Sequence, residues 1–206
     1  MEAATQPTIA RPRSRELSGV KAARIVEAMR TSVAARGIAG STFDHVASEA
    51  GVSRGLLHYY FGTKEQLLIE VVRRECDVRT ERLEQAIEAA GSAEDVLDAL
   101  VRSFEDWLGD GPAPVMIYEM LTLAQRNEEI AAELAELGRR VRSHTADTLR
   151  AKSEAGIVSL RAEPDTVATF LFALADGMTI RRLSEPELDI GPVMEQAIAA
   201  ARALLG

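Results

Sequence analysis

Apolar residues recur at helical spacing along almost the whole chain, and no run of alternating β-branched residues bounded by turns interrupts them. A chain written this way has no sheet to build around; it packs helix on helix. Val20, Ala22, Ile25, Val26, Met29 and Val33 mark a first helix, with Gly37 as its stop. Thr63 followed by Gln66 reads as a capping box opening a long helix that runs past Leu67, Leu68, Val71, Val72 and Val78 to Ile87. Ser92 caps a helix ending near Leu108, and Gly109-Asp-Gly-Pro-Ala-Pro114 reads as a breaker. Further helices are expected over 115–124 and 128–154, from Pro164 in a first turn to about Leu183, and from about Gly191 to the end. The expected fold is all-α, with about nine helices.

Composition narrows the class. The 206 residues suffice for a full apolar core, and 47% apolar with 27% charged residues exclude wholesale disorder. One cysteine, Cys76, excludes an intrachain disulfide and any multi-cysteine metal site, and three scattered histidines suggest no metal cluster; no metal or cofactor is expected. No apolar run approaches the ~20 residues needed to span a bilayer, and the N-terminus lacks the apolar stretch of a signal peptide. A cytoplasmic protein with no membrane partner is therefore expected. Charge is unevenly spread: nine Lys/Arg against six Asp/Glu over 1–65 give +3, whereas 15 against 26 over 66–206 give −11, summing to the net −8. Only the head is suited to a polyanion.

The stretch Thr42–Lys64, TFDHVASEAGVSRGLLHYYFGTK, carries the most information. It reads as short helix, turn, short helix. Val46 and Ala50 form an apolar pair, Ala47 supplies a small side chain at a steep helix crossing, and Gly51 tolerates positive φ in the turn. Ser53 caps the second helix, with Val52, Leu57, Tyr60 and Phe61 facing inward. Ser53, Arg54, Gly55, Leu56, His58 and Tyr59 then face outward: donors, a cation, an unobstructed backbone and methyl groups, an inventory suited to base edges and phosphates. Gly51-Val-Ser-Arg-Gly55 also matches G-x-S-x-G, the nucleophile elbow of hydrolases. That motif needs a strand before the serine, and here an amphipathic helix precedes it.

Residues 20–72 resemble the N-terminal domain of the tetracycline-repressor (TetR) family of bacterial transcription regulators. The likeness rests on Phe43 to Ala50, Gly51-Val52-Ser53, Gly55 and Tyr59-Tyr60-Phe61-Gly-Thr-Lys64-Glu65. It implies a three-helix DNA-binding domain over 18–65 behind a flexible basic leader, 1–17, and a helical effector-binding and dimerisation domain over 66–206. It also implies that Thr42 holds a phosphate and that Ser53, Arg54, Gly55 and His58 enter the major groove, with Arg54 the reader of guanine. Tyr59 and Lys64 would grip the backbone. The position after Leu57 is commonly tyrosine in the family; here it is His58.

The rest of the chain matches the family in length and helical character. Phe104, Trp107, Met116, Tyr118, Met120 and Phe170 are candidates to line a pocket for an apolar or aromatic effector. The helices over 164–183 and 191–206 carry more apolar surface than one core needs, which points to a symmetric contact through Phe172, Met178, Met194, Ile198, Ala201 and Leu205. The expected partners are double-stranded operator DNA, a second copy of the chain and a small molecule, and the expected function is a ligand-released repressor. The alternative is a helical small-molecule-binding protein without a DNA role. Arg11-Pro-Arg-Ser-Arg15 reads as a disordered leader, with entry into a minor groove as the other possibility.

Overall fold

A computed structural model describes residues 20–206. The basic leader read from the sequence lies outside them. The described residues form nine helices and no strand: α1 (Val20–Gly40), α2 (Phe43–Ala50), α3 (Arg54–Phe61), α4 (Lys64–Ala89), α5 (Ala93–Gly109), α6 (Pro112–Ala124), α7 (Glu128–Glu154), α8 (Pro164–Ser184) and α9 (Gly191–Leu205). No described helix is long and apolar enough to cross a membrane.

The caps expected at Ser53, Thr63 and Ser92 are in place and Thr42 caps α2 as well, but the capping box forms only in half, because the Gln66 side chain donates to Glu129 and not back to Thr63. Thr42, Ser53, Thr63 and Ser92 each precede a helix in extended conformation, and each hydroxyl accepts from the backbone N–H three residues on. The breaker reading around Gly109 holds only in part. Pro112 and Pro114 lie inside α6, with Pro112 in the first turn, where its missing N–H costs nothing. Helix α6 therefore starts three residues before the expected Val115. Gly37 also does less than stop α1: it takes φ 67°, kinks the helix, and lets it continue to Gly40.

Two buried clusters organise the molecule. One gathers Ile25 and Met29 of α1, Val46 of α2, Leu57 of α3, Leu68 and Val71 of α4, and continues into Met116 and Met120 of α6 and Ile130 of α7. The other joins Ile87 of α4, Val96 and Leu97 of α5, Leu149 of α7, Val167 of α8, and Ala201 and Leu205 of α9. Packing does not break at residue 65; the head is bolted to the body through α6.

Helices α4 and α7 lie side by side in the same direction, because α5 and α6 carry the chain back between them. Polar contacts stitch them along their length: Gln66 to Glu129 (2.7 Å), Arg73 to Glu133 (2.7 Å), Arg140 to Asp77, His144 to Glu84 (2.6 Å), and Lys152 to the carbonyls of Glu88 and Ala90 (2.8 Å each). Such partly exposed pairs contribute about 0–1 kcal/mol each, so their role is to fix register.

Cys76 sits on α4 packed against the first cluster, and burial, with Asp77 beside it, pushes its thiol up to about 11. Little thiolate exists at pH 8. A disulfide reagent at that pH is expected to label native protein on the order of a hundredfold more slowly than free cysteine. Labelling at the free-thiol rate would contradict this packing.

Candidate DNA-binding and effector sites

Helices α2 and α3 meet across Gly51, whose φ of 62° and ψ of 41° place it in the left-handed region. Its N–H closes the end of α2 by donating to Ser48 O at 3.3 Å, and Val52 N–H reaches back to Ala47 O at 3.0 Å. Arg24 of α1, whose role sequence reasoning missed, donates from Nη2 to Ala50 O at 2.5 Å, setting a cation at the negative end of α2. Leu57 is fully buried, which fixes which face of α3 points out. Ser53, Arg54, Gly55, His58 and Tyr59 are exposed, and Leu56 is half-buried.

The exposed side chains are not independent. Arg54 donates from Nη1 to both carboxylate oxygens of Asp44, at 3.0 and 3.3 Å, and from Nε to His58 Nε2 at 3.3 Å. Nδ1 of His58 lies 3.2 Å from Gly62 O. Its ring stands edge-on to Phe43, 4.7 Å between centroids. Accepting on Nε2 while donating from Nδ1 requires the neutral imidazole.

Lys64 is half-buried and donates to Ile38 O at 2.8 Å. The N–H of the same residue donates to Glu119 Oε2 of α6 at 3.0 Å. The kink at Gly37 thus opens the backbone of Ile38 to both helices: its N–H goes to α6, and its carbonyl is shared between Lys64 of α4 and the Ser41 N–H (3.3 Å). A second link joins head and body: Asp110, between α5 and α6, accepts on Oδ2 from Arg30 of α1 (3.2 Å) and Arg79 of α4 (2.5 Å), with Glu75 also on Arg30 (3.3 Å). The Arg79 guanidinium lies 5.2 Å from the Trp107 ring centroid, and Trp107 Nε1 donates to Thr179 of α8 at 3.1 Å. An unbroken series of contacts runs from α1 to α8.

The candidate pocket residues separate. Met116 and Met120 are sealed in the first core cluster and line no opening, because that face of α6 packs against α1 and α4. Phe170 is exposed and Phe104 half-buried. Trp107 and Tyr118 do come together on α8: the Tyr118 hydroxyl donates to Asp176 O at 3.2 Å, one turn from Thr179. Burial, then the Asp176 charge, pushes the Tyr118 hydroxyl up to about 12. Burial also raises Asp176. A cavity of about 200 Å³ opens beside this group, lined by Leu108, Gly111, Pro114, Thr179, Arg182 and Leu183.

The candidate dimer residues also need correction. Ala201 and Leu205 are buried in the chain's own second cluster, and Ile198 packs against it, because that stripe of α9 faces α5. Met178 is buried, while Phe172 and Met194 are half-buried. The apolar side chains left exposed on α8 and α9 are Phe170, Ile180, Leu183 and Val193. Among the described residues no group of three His, Cys, Asp or Glu could hold a metal ion.

A capped helix pair crossing at a left-handed glycine, with a short polar helix turned outward, is a helix-turn-helix, and the molecule built on it is a DNA-binding regulator. Residues 25–71 match the model of the bacterial regulatory proteins of the tetR family, and residues 91–206 match the tetracyclin repressor-like C-terminal domain. The chain belongs to the TetR family. It is 32% identical over 167 residues to the HTH-type transcriptional regulator BetI of Rhizobium meliloti, covering 79% of this chain and 78% of that one. A protein from Rhodococcus sp. assigned to the same family superposes with a TM-score of 0.74 at 26% identity, over 90% of this chain and 98% of that one. FadR from Bacillus subtilis, solved with stearoyl-CoA, superposes with a TM-score of 0.70 at 20% identity, over 89% and 99%. The protein is a DNA-binding transcriptional regulator and not an enzyme. Ser53, the serine of the G-x-S-x-G match, follows a helix and caps another, accepting from Leu56 N–H at 3.2 Å.

Proposed function

We propose that the chain works in the cytoplasm as a homodimeric repressor that grips two related operator half-sites and is released by a small molecule bound in its C-terminal domain. The observation that carries this is the outward face of α3, held rigid by Leu57 beneath it and by caps at Ser53 and Thr63. One such helix spans too few base pairs for genomic specificity, so two heads are needed. The exposed Phe170, Ile180, Leu183 and Val193 supply apolar surface for the second copy. Thr42 and the first amides of α2 meet a phosphate, Ser53, Arg54, Gly55 and His58 enter the major groove, and Tyr59 and Lys64 hold the backbone.

Contacts then divide by type. Arg54→Ala is expected to cost about 1–3 kcal/mol on the preferred operator and to relax base preference at one position. Lys64→Ala is expected to weaken all sequences nearly equally and to flatten the salt dependence by about one unit. Binding curves against single-base operator variants at three salt concentrations separate the two; an unchanged ranking in Arg54→Ala would remove Arg54 as reader.

The effector end rests on the cavity beside Thr179, and on the ligand-bound FadR as a relative of the same fold. At about 200 Å³ the cavity is below the ~300–1,000 Å³ usual for ligand sites, so an effector must part α8 from the α5–α6 turn. That displaces Thr179 and Trp107, and through Arg79 and Asp110 it reaches α1. A coupling of roughly 1–3 kcal/mol shifts operator affinity 5- to 150-fold, and operator must weaken effector binding by the same factor. Titration of Trp107 fluorescence with apolar and aromatic compounds, with and without operator, measures this. A compound that binds equally in both conditions is no effector.

A further inference from the structure

We propose that Asp44 is a specificity-determining residue, its carboxylate holding and neutralising Arg54 so that the guanidinium is withheld from phosphate and offered to a guanine edge. The inference rests on the DNA-binding reading of α3.

Arg54 and Asp44 are 59% and 65% exposed, and an ion pair so placed contributes almost nothing to folding. It lies instead on the surface turned to DNA, where a carboxylate repels the phosphates on either side and lowers general affinity. Asp44 sits in the first turn of α2, the helix whose Thr42 end is directed at a phosphate, so its charge opposes that contact too.

What the carboxylate supplies is a fixed, charge-compensated reader. Arg54 is held at two of its three nitrogens, Nη1 by Asp44 and Nε by His58, leaving Nη2, which donates to none of the described residues. His58 is itself positioned by Gly62 O and by a T-shaped contact with Phe43. A free arginine at this position would follow the nearest phosphate on any sequence. Compensated by Asp44, it gains little from phosphate, while Nη2 remains to donate to an O6 or N7 acceptor of guanine. Specificity rises because the wrong complex is penalised, not because the right one gains a contact. His58 replaces the family's common tyrosine as the second support and must be neutral to accept from Nε.

The test uses the full chain and fluorescence anisotropy at one fixed salt, against a duplex recovered by selection and a random duplex of equal length. Asp44→Asn is expected to tighten the random duplex about threefold, to leave the selected duplex nearly unchanged, and so to narrow the selected-to-random ratio about threefold. In an Arg54→Ala background the same substitution still tightens random DNA but leaves the ratio unchanged. His58→Phe, which removes the second support together with the imidazole's own groove contact, narrows the ratio in the same direction. Far-UV circular dichroism melts monitor folding, and the comparison across the two Arg54 backgrounds cancels any common loss of stability. An unchanged ratio in Asp44→Asn overturns the proposal, as does an equal narrowing with and without Arg54. A wild-type ratio near one would sink the DNA-binding reading itself, and this proposal with it.

Discussion

Gly51→Val is expected to lower operator affinity at least a hundredfold while leaving the protein largely helical. At φ 62° a β-branched side chain is strained, and its Cβ would lie 2.7 Å from Arg24 Nη2, the donor that closes the end of α2. Strain and the displaced hydrogen bond together cost about 2–4 kcal/mol locally. The cost falls on the angle between α2 and α3, which sets where Arg54 and Thr42 stand relative to each other. The second core cluster contains no residue of α1, α2 or α3, so circular dichroism should retain most of its helical signal. Gly51→Asn, which tolerates the left-handed region, is expected to keep more affinity than Gly51→Val. Unchanged operator binding in the valine variant would displace the helix-turn-helix from this segment.

Asp110→Ala is expected to destabilise the protein and to uncouple head from body. The carboxylate is 16% exposed and stands between the guanidinium groups of Arg30 and Arg79, themselves 28% and 22% exposed. Its removal leaves two like charges facing each other, with Glu75 and Glu27 compensating Arg30. Losing one partner of a largely buried pair costs about 3–5 kcal/mol, and the residual exposure here reduces that to about 2–3. For a chain of this size the melting temperature should fall by about 5–10 °C, read by calorimetry. Any compound that releases wild-type protein from operator should release this variant less well, because the Trp107–Arg79–Asp110–Arg30 series is cut. A variant that melts like the wild type and responds fully to effector would remove Asp110 from both roles.

The features legible in the sequence were those set by neighbours a few residues apart. Thr42, Ser53, Thr63 and Ser92 each cap the backbone three residues on, and Gly51 needs only its own φ, so the two short helices and the turn between them could be placed closely. Pro112 misled because proline breaks a helix interior but suits a first turn, and the letters alone do not say which applies. Contacts between distant residues left no trace. Arg54 and Asp44 are ten positions apart on two different helices, and Arg30 and Asp110 are eighty apart. The stripe on α9 was assigned to a second copy, but periodicity does not name the surface a stripe packs against; α5 of the same chain takes Ala201 and Leu205. Met116 and Met120 follow the same logic, since apolar bulk suits a core as well as a pocket.

The most direct test of a two-headed, sequence-reading regulator is selection from a random duplex library with the purified full chain, followed by light scattering of the protein alone and on the recovered DNA. The expected result is an inverted repeat with a guanine contacted in each half-site, bound by an even number of chains, with affinity falling steeply as salt rises. Recovery of no repeated motif, or a single chain bound to each duplex, would contradict it.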